Sequence, residues 1–309
     1  MSNLGLSLDK PKTGGFQLGY RAQQRLWTGV RMAILIVMVI FALFPVVWIV
    51  SASFNPRQSM VTQTLIPQVE DPADLLNNYE TLFSNPDRYP FWRWVGNSIF
   101  IAGTTSFLTV MLCALSAYSF SRFRFWGRRN LLLFLLLVQV FPNILALVAV
   151  YLLLQQIGQH LPFIGLNTAG GLILVYLGGA MGVNIWLMKG FFDTVPRDID
   201  ESAQVDGASH WQTYWMLIFP LVRPILVVVG ILSFVGIFND FALARVLLRD
   251  KDSWTLMVGL YTSFVSNNFG QNWGIYAAGS VLGSIPTLVI YLALQDQIVG
   301  GLTQGAVKG

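Results

Sequence analysis

The chain has 309 residues, of which 54% are hydrophobic and 11% are charged, and its mean hydropathy is +0.59. Soluble domains carry roughly 25% charged residues, so this composition excludes an ordinary soluble domain and favours a bilayer protein. The single cysteine, Cys113, rules out internal disulfides and multi-cysteine metal sites. The formal charge of +4 is small for this length, so only its placement along the chain is informative.

Six apolar stretches are each long enough to cross a membrane, which takes about 20 residues in a helix. Strands are excluded there because an open strand leaves backbone groups unsatisfied in hydrocarbon. The predicted spans lie at about residues 32–52, 98–118, 131–154, 170–187, 225–243 and 275–294. The first resembles a secretory signal at its small-residue end, residues 51–53, but its apolar run exceeds the roughly 7 to 15 residues of a signal core. We interpret it as an uncleaved span.

Basic residues concentrate in alternate connections between these spans and so indicate the orientation of the chain. Most of the nineteen lie before the first span, between the second and third, between the fourth and fifth, or in the tail. The positive-inside rule makes these segments cytoplasmic. We therefore predict a cytoplasmic segment at residues 1–31, a six-helix membrane domain at 32–299 and a cytoplasmic tail at 300–309. The basic clusters are too short, and too close to the spans, to indicate binding of nucleic acid.

Two connections on the predicted outer side, residues 54–97 and 246–274, are long enough to have roles of their own. The first carries aromatic residues at 89–94 that are typical of an interfacial belt. The second is rich in aromatic and amide side chains, among them Tyr261, Asn267, Asn268 and Phe269. Such side chains suit contact with a polar, ring-shaped ligand or a partner surface, and they equally suit an ordinary wet loop.

The cytoplasmic connection at residues 193–221 begins with the signals of a short helix. Pro196 is favourable at a first helical position. Acidic residues crowd the first turns, where the helix dipole favours anions; they are Asp198, Asp200 and Glu201. Gly207 then supplies the permissive backbone that ends the helix. The sequence therefore predicts a turn at Gly207.

A second helix is predicted directly after this turn. Ser209 and Gln212 have the spacing of a capping box. One face of the helix is apolar, since Trp211, Tyr214, Trp215 and Ile218 fall at helical spacing before Pro220. Such a helix can lie against the membrane or fill the groove of a partner. A simple connector is the other interpretation, although two ordered helices are more than a connector requires.

Three short stretches of this connection resemble the signature loop of binding-protein-dependent ABC importer permeases. They are Glu201-Ser202-Ala203, Asp206-Gly207-Ala208 and Ile218-Phe219-Pro220. The family pattern has two alanines after the glutamate and usually leucine before the proline, so Ser202 and Phe219 depart from it by small or apolar exchanges. Residues 161–168 and the tail 301–309 are similar to the smaller membrane subunits of maltose and maltodextrin importers.

This resemblance implies an all-α membrane fold of the type I importer kind, with six transmembrane helices and both termini cytoplasmic. It also implies a homologous second permease subunit, two copies of a cytoplasmic ATPase, an extracytoplasmic sugar-binding protein and a place in the bacterial inner membrane. The carried substrate would be maltose, maltodextrin or a related oligosaccharide. ATP and magnesium would bind to the ATPase, because this sequence has no Gly-x-x-x-x-Gly-Lys-Ser/Thr phosphate loop. The chain itself would be neither an enzyme nor the holder of a cofactor.

The resemblance assigns residues to two contacts with the ATPase, and the composition of the outer loop suggests a third contact, with the binding protein. The coupling helix, inserted into a cleft of the ATPase, would comprise Glu201, Ser202, Ala203, Asp206, Gly207, Ala208, Trp211, Ile218 and Pro220. Glu201 would be a polar anchor, Ala203 and Ala208 would permit close helix approach, and Asp206 would cap or accept a hydrogen bond. The tail, otherwise a frayed terminus, would reach the ATPase through Thr303, Gln304, Gly305 and Lys308. The outer loop would reach the binding protein through Tyr261, Asn267, Asn268 and Phe269.

A secondary transporter or channel is the alternative function, because six spans alone could carry a solute. Ion-coupled carriers usually need several buried acids, whereas the most suggestive intramembrane charge here is Asp240. We expect Asp240 to pair with Arg245 or to belong to an outer gate. For the polar residues Gln139, Asn143 and Asn184, hydrogen bonds to neighbouring helices are favoured over positions along the path.

Glycine pairs and histidines complete the sequence signals within the spans. Gly178 with Gly182, and Gly279 with Gly283, have the spacing that permits close helix packing. The two histidines are His160 and His210, which the predicted topology places on opposite sides of the membrane, so no metal site is expected. No nucleophile, base and orienting group can be assembled from spans so poor in ionisable residues.

Overall fold

The computed structural model describes residues 20–306, except 57–58, 62, 70, 141–142 and 266–271. Every regular element within those ranges is helical. The chain falls into two units, residues 1–48 and 49–309. The described part of the first unit belongs to α1 (Tyr20–Ser53), a long apolar helix in which the rings of Phe44 and Trp48 lie 5.8 Å apart.

The second unit contains the remaining helices. The longer ones are α3 (Phe91–Arg122), α4 (Arg128–Val140), α5 (Asn143–His160), α6 (Ala169–Phe192), α10 (Arg223–Phe238) and α13 (Trp273–Ala306). The short ones are α2 (Asn77–Ser84), α7 (Asp198–Val205), α8 (His210–Thr213), α9 (Phe219–Leu221), α11 (Ala242–Leu247) and α12 (Leu256–Leu260). Single 3₁₀ turns lie at Pro72–Leu76, Pro162–Ile164 and Lys251–Ser253, and π-helical turns lie at Tyr214–Ile218 and Tyr261–Val265.

Helix α3 is central to the packing of the second unit and contacts both α6 and α10. Near its C-terminal end, Ala117 and Tyr118 join a buried apolar cluster with Phe192, Tyr214 and Ile218. Near its N-terminal end, a second cluster gathers residues of α2, α10, α12 and α13, and a third joins α3 to α5, α6 and α11. The polar segment at 193–221 is therefore connected to α3, α6 and α10 through the first of these clusters.

Four of the predicted spans coincide with single helices that are long and apolar enough to cross a membrane. The helices are Gln23–Ser53, Phe91–Arg122, Ala169–Phe192 and Trp273–Gln295. The third predicted span overlaps both helices of a bent pair, Arg128–Val140 and Leu145–His160, and the fifth overlaps only the second helix of another pair, His210–Leu221 and Arg223–Phe238. The number of candidate spans is therefore four, or six if each pair crosses once. The six-span count, the orientation, and the division into residues 1–31, 32–299 and 300–309 stay predictions.

The third predicted span, residues 131–154, is wrong as one continuous helix. Helix α4 ends at Val140 and α5 begins at Asn143, and the two helices are inclined by 103°. Pro142 lies between them in the sequence. A proline lacks the amide hydrogen of an interior helical residue and clashes with the carbonyl four positions earlier, so an interruption is expected there.

The fifth predicted span, residues 225–243, is wrong at its C-terminal end because α10 stops at Phe238. The Asp240 carboxylate accepts a hydrogen bond from the Ala244 amide at 3.1 Å and thereby supports the start of a new short helix. Its other partner is the Tyr176 hydroxyl, at 2.7 Å. The expected pairing with Arg245 is also wrong, since the guanidinium of Arg245 lies over the Trp254 ring.

Some of the glycine and amide residues for which a packing role was predicted do lie at close contacts between helices of the second unit. The Gln139 side chain donates to the Gly179 carbonyl at 2.8 Å, which confirms the expected bond between α4 and α6. A Cβ atom on Gly182 would lie 2.8 Å from Gln139, so this glycine permits that approach. The prediction is wrong for Asn184, which donates to Ala180 of its own helix. The Asn143 side chain lies outside the described residues.

The second glycine pair permits a contact between α13 and α12. A Cβ atom on Gly279 would lie 2.4 Å from Leu260, and one on Gly283 would lie 2.4 Å from Leu256. Both glycines are therefore at close approaches, as expected. A Cβ on Gly178 would meet nothing within 4 Å, so Gly178 does not share the packing role of Gly182.

Candidate functional site

The two predicted helices of the polar connection are present, and a glycine turn separates them. Helix α7 begins at Asp198, two residues beyond Pro196, and its first turn contains three acidic residues. It ends in a Schellman motif: the Gly207 amide donates to the Gln204 carbonyl at 3.0 Å, and the Ala208 amide donates to the Ala203 carbonyl at 2.9 Å. Gly207 has φ +83°, which glycine adopts without a Cβ clash. The predicted turn is confirmed.

The second helix opens with the predicted capping box. The Gln212 amide donates to the Ser209 hydroxyl at 3.3 Å, and the Ser209 amide donates to the Gln212 side-chain oxygen at 2.8 Å. A π-helical turn, Tyr214–Ile218, follows this helix and was not expected from the sequence. It ends two residues before Pro220, whose missing amide hydrogen cannot join a regular ladder. A wider turn at this point accommodates the proline.

The side chains of the connection separate into a buried set and an exposed set. Asp200 and Ala203 are buried on one side of α7, and Ile218 is buried beyond the second helix. The exposed set contains residues on the other side of α7, around the turn and in the following helix: Glu201, Ser202, Val205, Asp206, Gly207, Trp211 and Pro220. Val205 is 87% exposed and Trp211 is 61% exposed, so this polar segment presents large apolar groups outward.

The predicted roles of individual residues are distributed accordingly. Ala203 packs inside its own chain, and Ala208 is half-buried. Asp206 is the C-cap of α7, where its amide donates to the Ser202 carbonyl at 3.1 Å. The Asp206 and Glu201 carboxylates are exposed and accept no hydrogen bond from the described residues. Both carboxylates therefore remain available for contacts outside this chain.

A buried ion pair holds α7 against α3. The side chains of Arg122 and Asp200 approach to 2.9 Å and are only 7% and 10% exposed. The Tyr118 hydroxyl donates to the other Asp200 oxygen at 3.3 Å, and Arg122 also donates to the Val195 carbonyl at 3.0 Å. Tyr118 and Arg122 are four residues apart and so share one face of α3. One carboxylate on α7 is thus held by two side chains of a long membrane helix.

A second link ties the same end of α3 to the end of α6. The Ser121 hydroxyl donates to Asp193 at 2.6 Å, Lys189 forms an ion pair with the same carboxylate, and Arg197 donates to the Ser121 carbonyl at 3.2 Å. Burial opposes ionisation of Asp193, but the hydrogen bonds from Lys189 and Ser121 outweigh it and hold the pKa of this carboxyl below its usual value. Two helices and the start of α7 therefore form one hydrogen-bonded framework.

The sequence did not indicate this framework as a site. Asp200 reads as one of three acidic residues suited to a helix N-terminus, and Arg122 reads as one of several cations at the end of a span. Their pairing joins positions that are far apart in the chain. Helical spacing places Asp200 and Ala203, three residues apart, on one side of α7, but it does not indicate which helix that side faces.

The other two predicted contact regions are described only in part. Tyr261 begins a π-helical turn and packs its ring 4.7 Å from that of Phe241. The rest of the predicted outer contact, Asn267, Asn268 and Phe269, lies outside the described residues. In the tail, Thr303, Gln304 and Gly305 belong to α13, which ends at Ala306, and Lys308 lies outside the described residues.

The family comparison covers the helices that build the site. The model of the family "binding-protein-dependent transport system inner membrane component" matches residues 109–301, which is more than half of the chain. The chain belongs to this family. The matched stretch of the permease contains both residues of the Arg122–Asp200 ion pair and the whole of the polar connection at 193–221. The resemblance inferred from that connection is thereby confirmed.

Relatives in the family share most of the length of the permease. It is 40% identical over 277 residues to the maltose/maltodextrin transport system permease protein MalG of Vibrio vulnificus (strain YJ016), covering 86% of this chain and 91% of MalG. It is 38% identical over 272 residues to the galactooligosaccharides transport system permease protein GanQ of Bacillus subtilis (strain 168), covering 88% and 92%.

The fold of the permease is shared with a solved transporter. The crystal structure of a bacterial ABC transporter involved in the import of the acidic polysaccharide alginate has a chain with TM-score 0.73 and 22% identity. The match covers 91% of this chain and 99% of that chain. At this identity the likeness establishes the fold of the permease, so the transported substrate has to be argued separately.

Proposed function

We propose that this permease is one of two homologous membrane subunits of an ATP-driven importer for maltose, maltodextrin or a related oligosaccharide. Two copies of a cytoplasmic ATPase would supply the energy, and an extracytoplasmic sugar-binding protein would deliver the substrate at the outer face of the bacterial inner membrane. Support for a sugar comes from relatives at 38–40% identity whose names specify maltodextrin or galactooligosaccharide transport.

The observation that carries the proposal is the two-sided character of α7. One side is fixed to α3 through the buried Arg122–Asp200 pair, while the other side and the Gly207 turn present exposed groups. A connector between spans has no need for exposed apolar residues such as Val205 and Trp211. An element that docks into a groove needs both an exposed apolar contact and a rigid attachment to its own domain.

The mechanism follows from that attachment. When the ATPase pair closes around ATP, the cleft that holds α7 moves. Because Asp200 is gripped by Arg122 and Tyr118, the movement of α7 is transmitted to α3 rather than absorbed by a loose loop. Helices α6 and α10 pack on α3 and shift with it as a rigid body. ATP and magnesium act on the ATPase, and this chain contributes the mechanical link.

Cross-linking from single cysteines tests the docking face. Cys113 is buried and can be replaced in a Cys113→Ala background, which leaves no other cysteine. Val205→Cys, labelled with a benzophenone maleimide in the full complex, is expected to cross-link to the nucleotide-binding subunit. The matched control is Trp126→Cys, which lies between α3 and α4 and is 100% exposed. Equal cross-linking from both positions, or none from Val205→Cys, contradicts docking through α7.

The Gly207 turn gives a functional test. Gly207→Pro removes the amide that donates to Gln204 and requires φ near −65° where the chain has +83°. The variant is expected to insert into the membrane normally, to lose assembly with the ATPase and to lose uptake of labelled sugar. Normal uptake by this variant would refute the coupling role of the turn.

Substrate and energy source are tested together in proteoliposomes. The full complex is supplied with ATP inside, with its binding protein outside, and with labelled maltose, maltotriose or a galactooligosaccharide. ATP-dependent uptake that resists ionophores is expected for at least one of these sugars. Uptake without ATP that collapses with an ion gradient would instead identify a secondary transporter. The ligand spectrum of the binding protein then decides among the sugars.

A further inference from the structure

A basic cavity lies beside the framework, between the α3–α4 connection and α6. Its volume is about 680 Å³. Its basic lining consists of Arg124, Arg128 and Arg129 from the start of α4 and its approach, and Lys189 from α6. Leu133 and Trp186 supply apolar walls. The cavity thus combines four cationic side chains with an apolar side.

The positive charge of this cavity is mostly uncompensated within the chain. Lys189 is paired with Asp193, but no aspartate or glutamate lines the cavity. Arg124 and Arg129 are exposed and form no ion pair with any residue of the described ranges. Arg128 donates to the Phe123 carbonyl at 3.4 Å and lies close enough to the Asp193 carboxylate to help lower its pKa, so its charge is partly offset from outside the cavity lining. Three guanidinium groups sharing one recess repel one another, so an anion between them is electrostatically favoured.

An open, shallow apolar groove continues from the cavity along one face of α4, and all of its lining residues belong to that helix. It has a volume of about 570 Å³ and shares Asn130 and Leu133 with the basic cavity. Beyond them it is lined by apolar side chains, including the exposed Leu137 and Val140. The stretch from Asn130 to Val140 rises about 15 Å, at roughly 1.5 Å per residue. A charged recess at one end and an apolar trough of that length match the two parts of a phospholipid.

We propose that this cavity and groove bind an anionic phospholipid of the inner leaflet. The lipid phosphate would lie among Arg124, Arg128 and Arg129, and one acyl chain would follow α4 past Leu133 and Leu137. Basic recesses between helices on the cytoplasmic side are suited to phosphate head groups, and Trp186 has the amphipathic ring of an interfacial residue. The proposal depends on the predicted cytoplasmic position of this end of α3, but not on which sugar is carried.

We commit to a lipid rather than a soluble anion because the apolar groove adjoins the basic recess, and a ligand with both a phosphate and a hydrocarbon chain contacts both. A phosphate ion or a nucleotide would use only the basic recess and leave Leu137 and Val140 uncovered. An acidic segment of a partner subunit is the competing occupant. It would satisfy the arginines in the assembled complex and so exclude the lipid there, which gives a distinguishable outcome.

Binding is measured on the full importer complex, delipidated in neutral detergent and titrated with cardiolipin or phosphatidylcholine while native mass spectrometry counts the bound lipids. We expect tight binding of cardiolipin and little of phosphatidylcholine. The double variant Arg124→Gln, Arg129→Gln should bind cardiolipin about tenfold or more weakly, since each basic residue near an anionic lipid strengthens its binding. The control double variant Arg88→Gln, Arg93→Gln removes the same charge elsewhere and should bind as the unaltered complex does.

A second variant separates lipid binding from general damage to the fold. Leu133→Trp fills the junction of cavity and groove without changing charge; because Leu133 is an exposed residue, the chain should tolerate the change. It should weaken cardiolipin binding while the complex still assembles and still hydrolyses ATP. Three results would overturn the proposal: equal cardiolipin binding by the arginine double variant and the unaltered complex, displacement of cardiolipin by equimolar inorganic phosphate, or absence of binding in the complete complex.

Discussion

At its C-terminal end α3 holds α7 through a buried ion pair, whereas at its N-terminal end it holds the segment 251–256 through buried hydrogen bonds to backbone groups and an exposed ion pair. The first attachment is the buried pair of Arg122 and Asp200. In the second, the Trp94 indole donates to the Lys251 carbonyl at 2.9 Å, and the Leu256 amide donates to the Ser98 hydroxyl at 2.8 Å. One helix is thus attached to its neighbours by two different kinds of interaction.

The difference shows which attachment of α3 depends most on individual side chains. Hydrogen bonds to backbone groups survive most substitutions on the partner segment, because every residue except proline supplies the same carbonyl and amide. A buried ion pair depends on both side chains, and loss of either leaves an unpaired charge in the interior. A single substitution therefore disrupts the attachment of α7 more easily than the attachment of the segment 251–256. The attachment of α7 is also the one through which we propose that movement of the ATPase reaches α3.

The largest effect is expected for Arg122→Ala. Removing the guanidinium leaves the buried Asp200 carboxylate without its ion partner, which costs about 3–5 kcal/mol. The midpoint of thermal unfolding in detergent should fall, and ATPase activity of the complex should lose its dependence on the loaded binding protein because α7 is no longer gripped. Both properties are measured on the same preparation.

The paired variant Arg122→Met, Asp200→Leu sharpens this prediction. Apolar replacement of a whole buried ion pair is often neutral for stability. The paired variant is therefore expected to recover most of the thermal midpoint that Arg122→Ala loses. If Arg122→Ala itself unfolds at the same temperature as the unaltered permease, the pair does not contribute as its burial implies.

Local sequence signals and long-range contacts differ sharply in how well they could be anticipated. The capping box at Ser209 and the turn at Gly207 depend on residues within a few positions of one another, and both were predicted correctly. The grip of Tyr118 on Asp200 joins residues 82 positions apart, which no periodicity or cap signal reveals. Position in the fold alone distinguishes Asp200 from the neighbouring Asp198 and Glu201.

Span boundaries failed for a related reason. Hydropathy averages over a window, so it does not register where a polar side chain or a proline interrupts a helix. The Asp240 carboxylate ends the apolar run by accepting the Ala244 amide, while Pro142 interrupts another run that is apolar on both sides. Both residues are present in the sequence, but a hydropathy average over a window is too little changed by one aspartate or one proline to move a predicted span boundary.

At the N-terminal end of α3 the largest expected effect comes from crowding. A Cβ atom on Gly259 would lie 2.2 Å from the Trp94 ring, which is fully buried and held by its hydrogen bond to Lys251. Gly259→Ala therefore forces a shift of the ring or of α12 and should cost about 1–3 kcal/mol. The thermal midpoint reports this cost. The control is Gly103→Ala, at a site in α3 where an added Cβ meets nothing within 4 Å.

A comparable or slightly smaller loss is expected for Ser98→Ala. The hydroxyl is buried and accepts the Leu256 amide, so its removal leaves that amide without this partner at a cost of about 1–3 kcal/mol. Ser98→Thr keeps the hydroxyl and should retain more stability if the added methyl is accommodated. Faster hydrogen exchange at the Leu256 amide in Ser98→Ala is the direct readout, and unchanged exchange there contradicts the assignment.

The smallest effect is expected for Arg93→Ala, which removes the ion pair at the N-terminal end of α3. Arg93 and Asp252 approach to 2.7 Å, closer than Arg122 and Asp200, but their side chains are 59% and 69% exposed. Water and salt screen an exposed pair, so its contribution is about 0–1 kcal/mol despite the shorter distance. The thermal midpoint of Arg93→Ala should lie close to that of the unaltered permease, and any difference should shrink further as salt is added. A loss as large as that of Arg122→Ala would show that distance rather than burial sets the strength of these pairs.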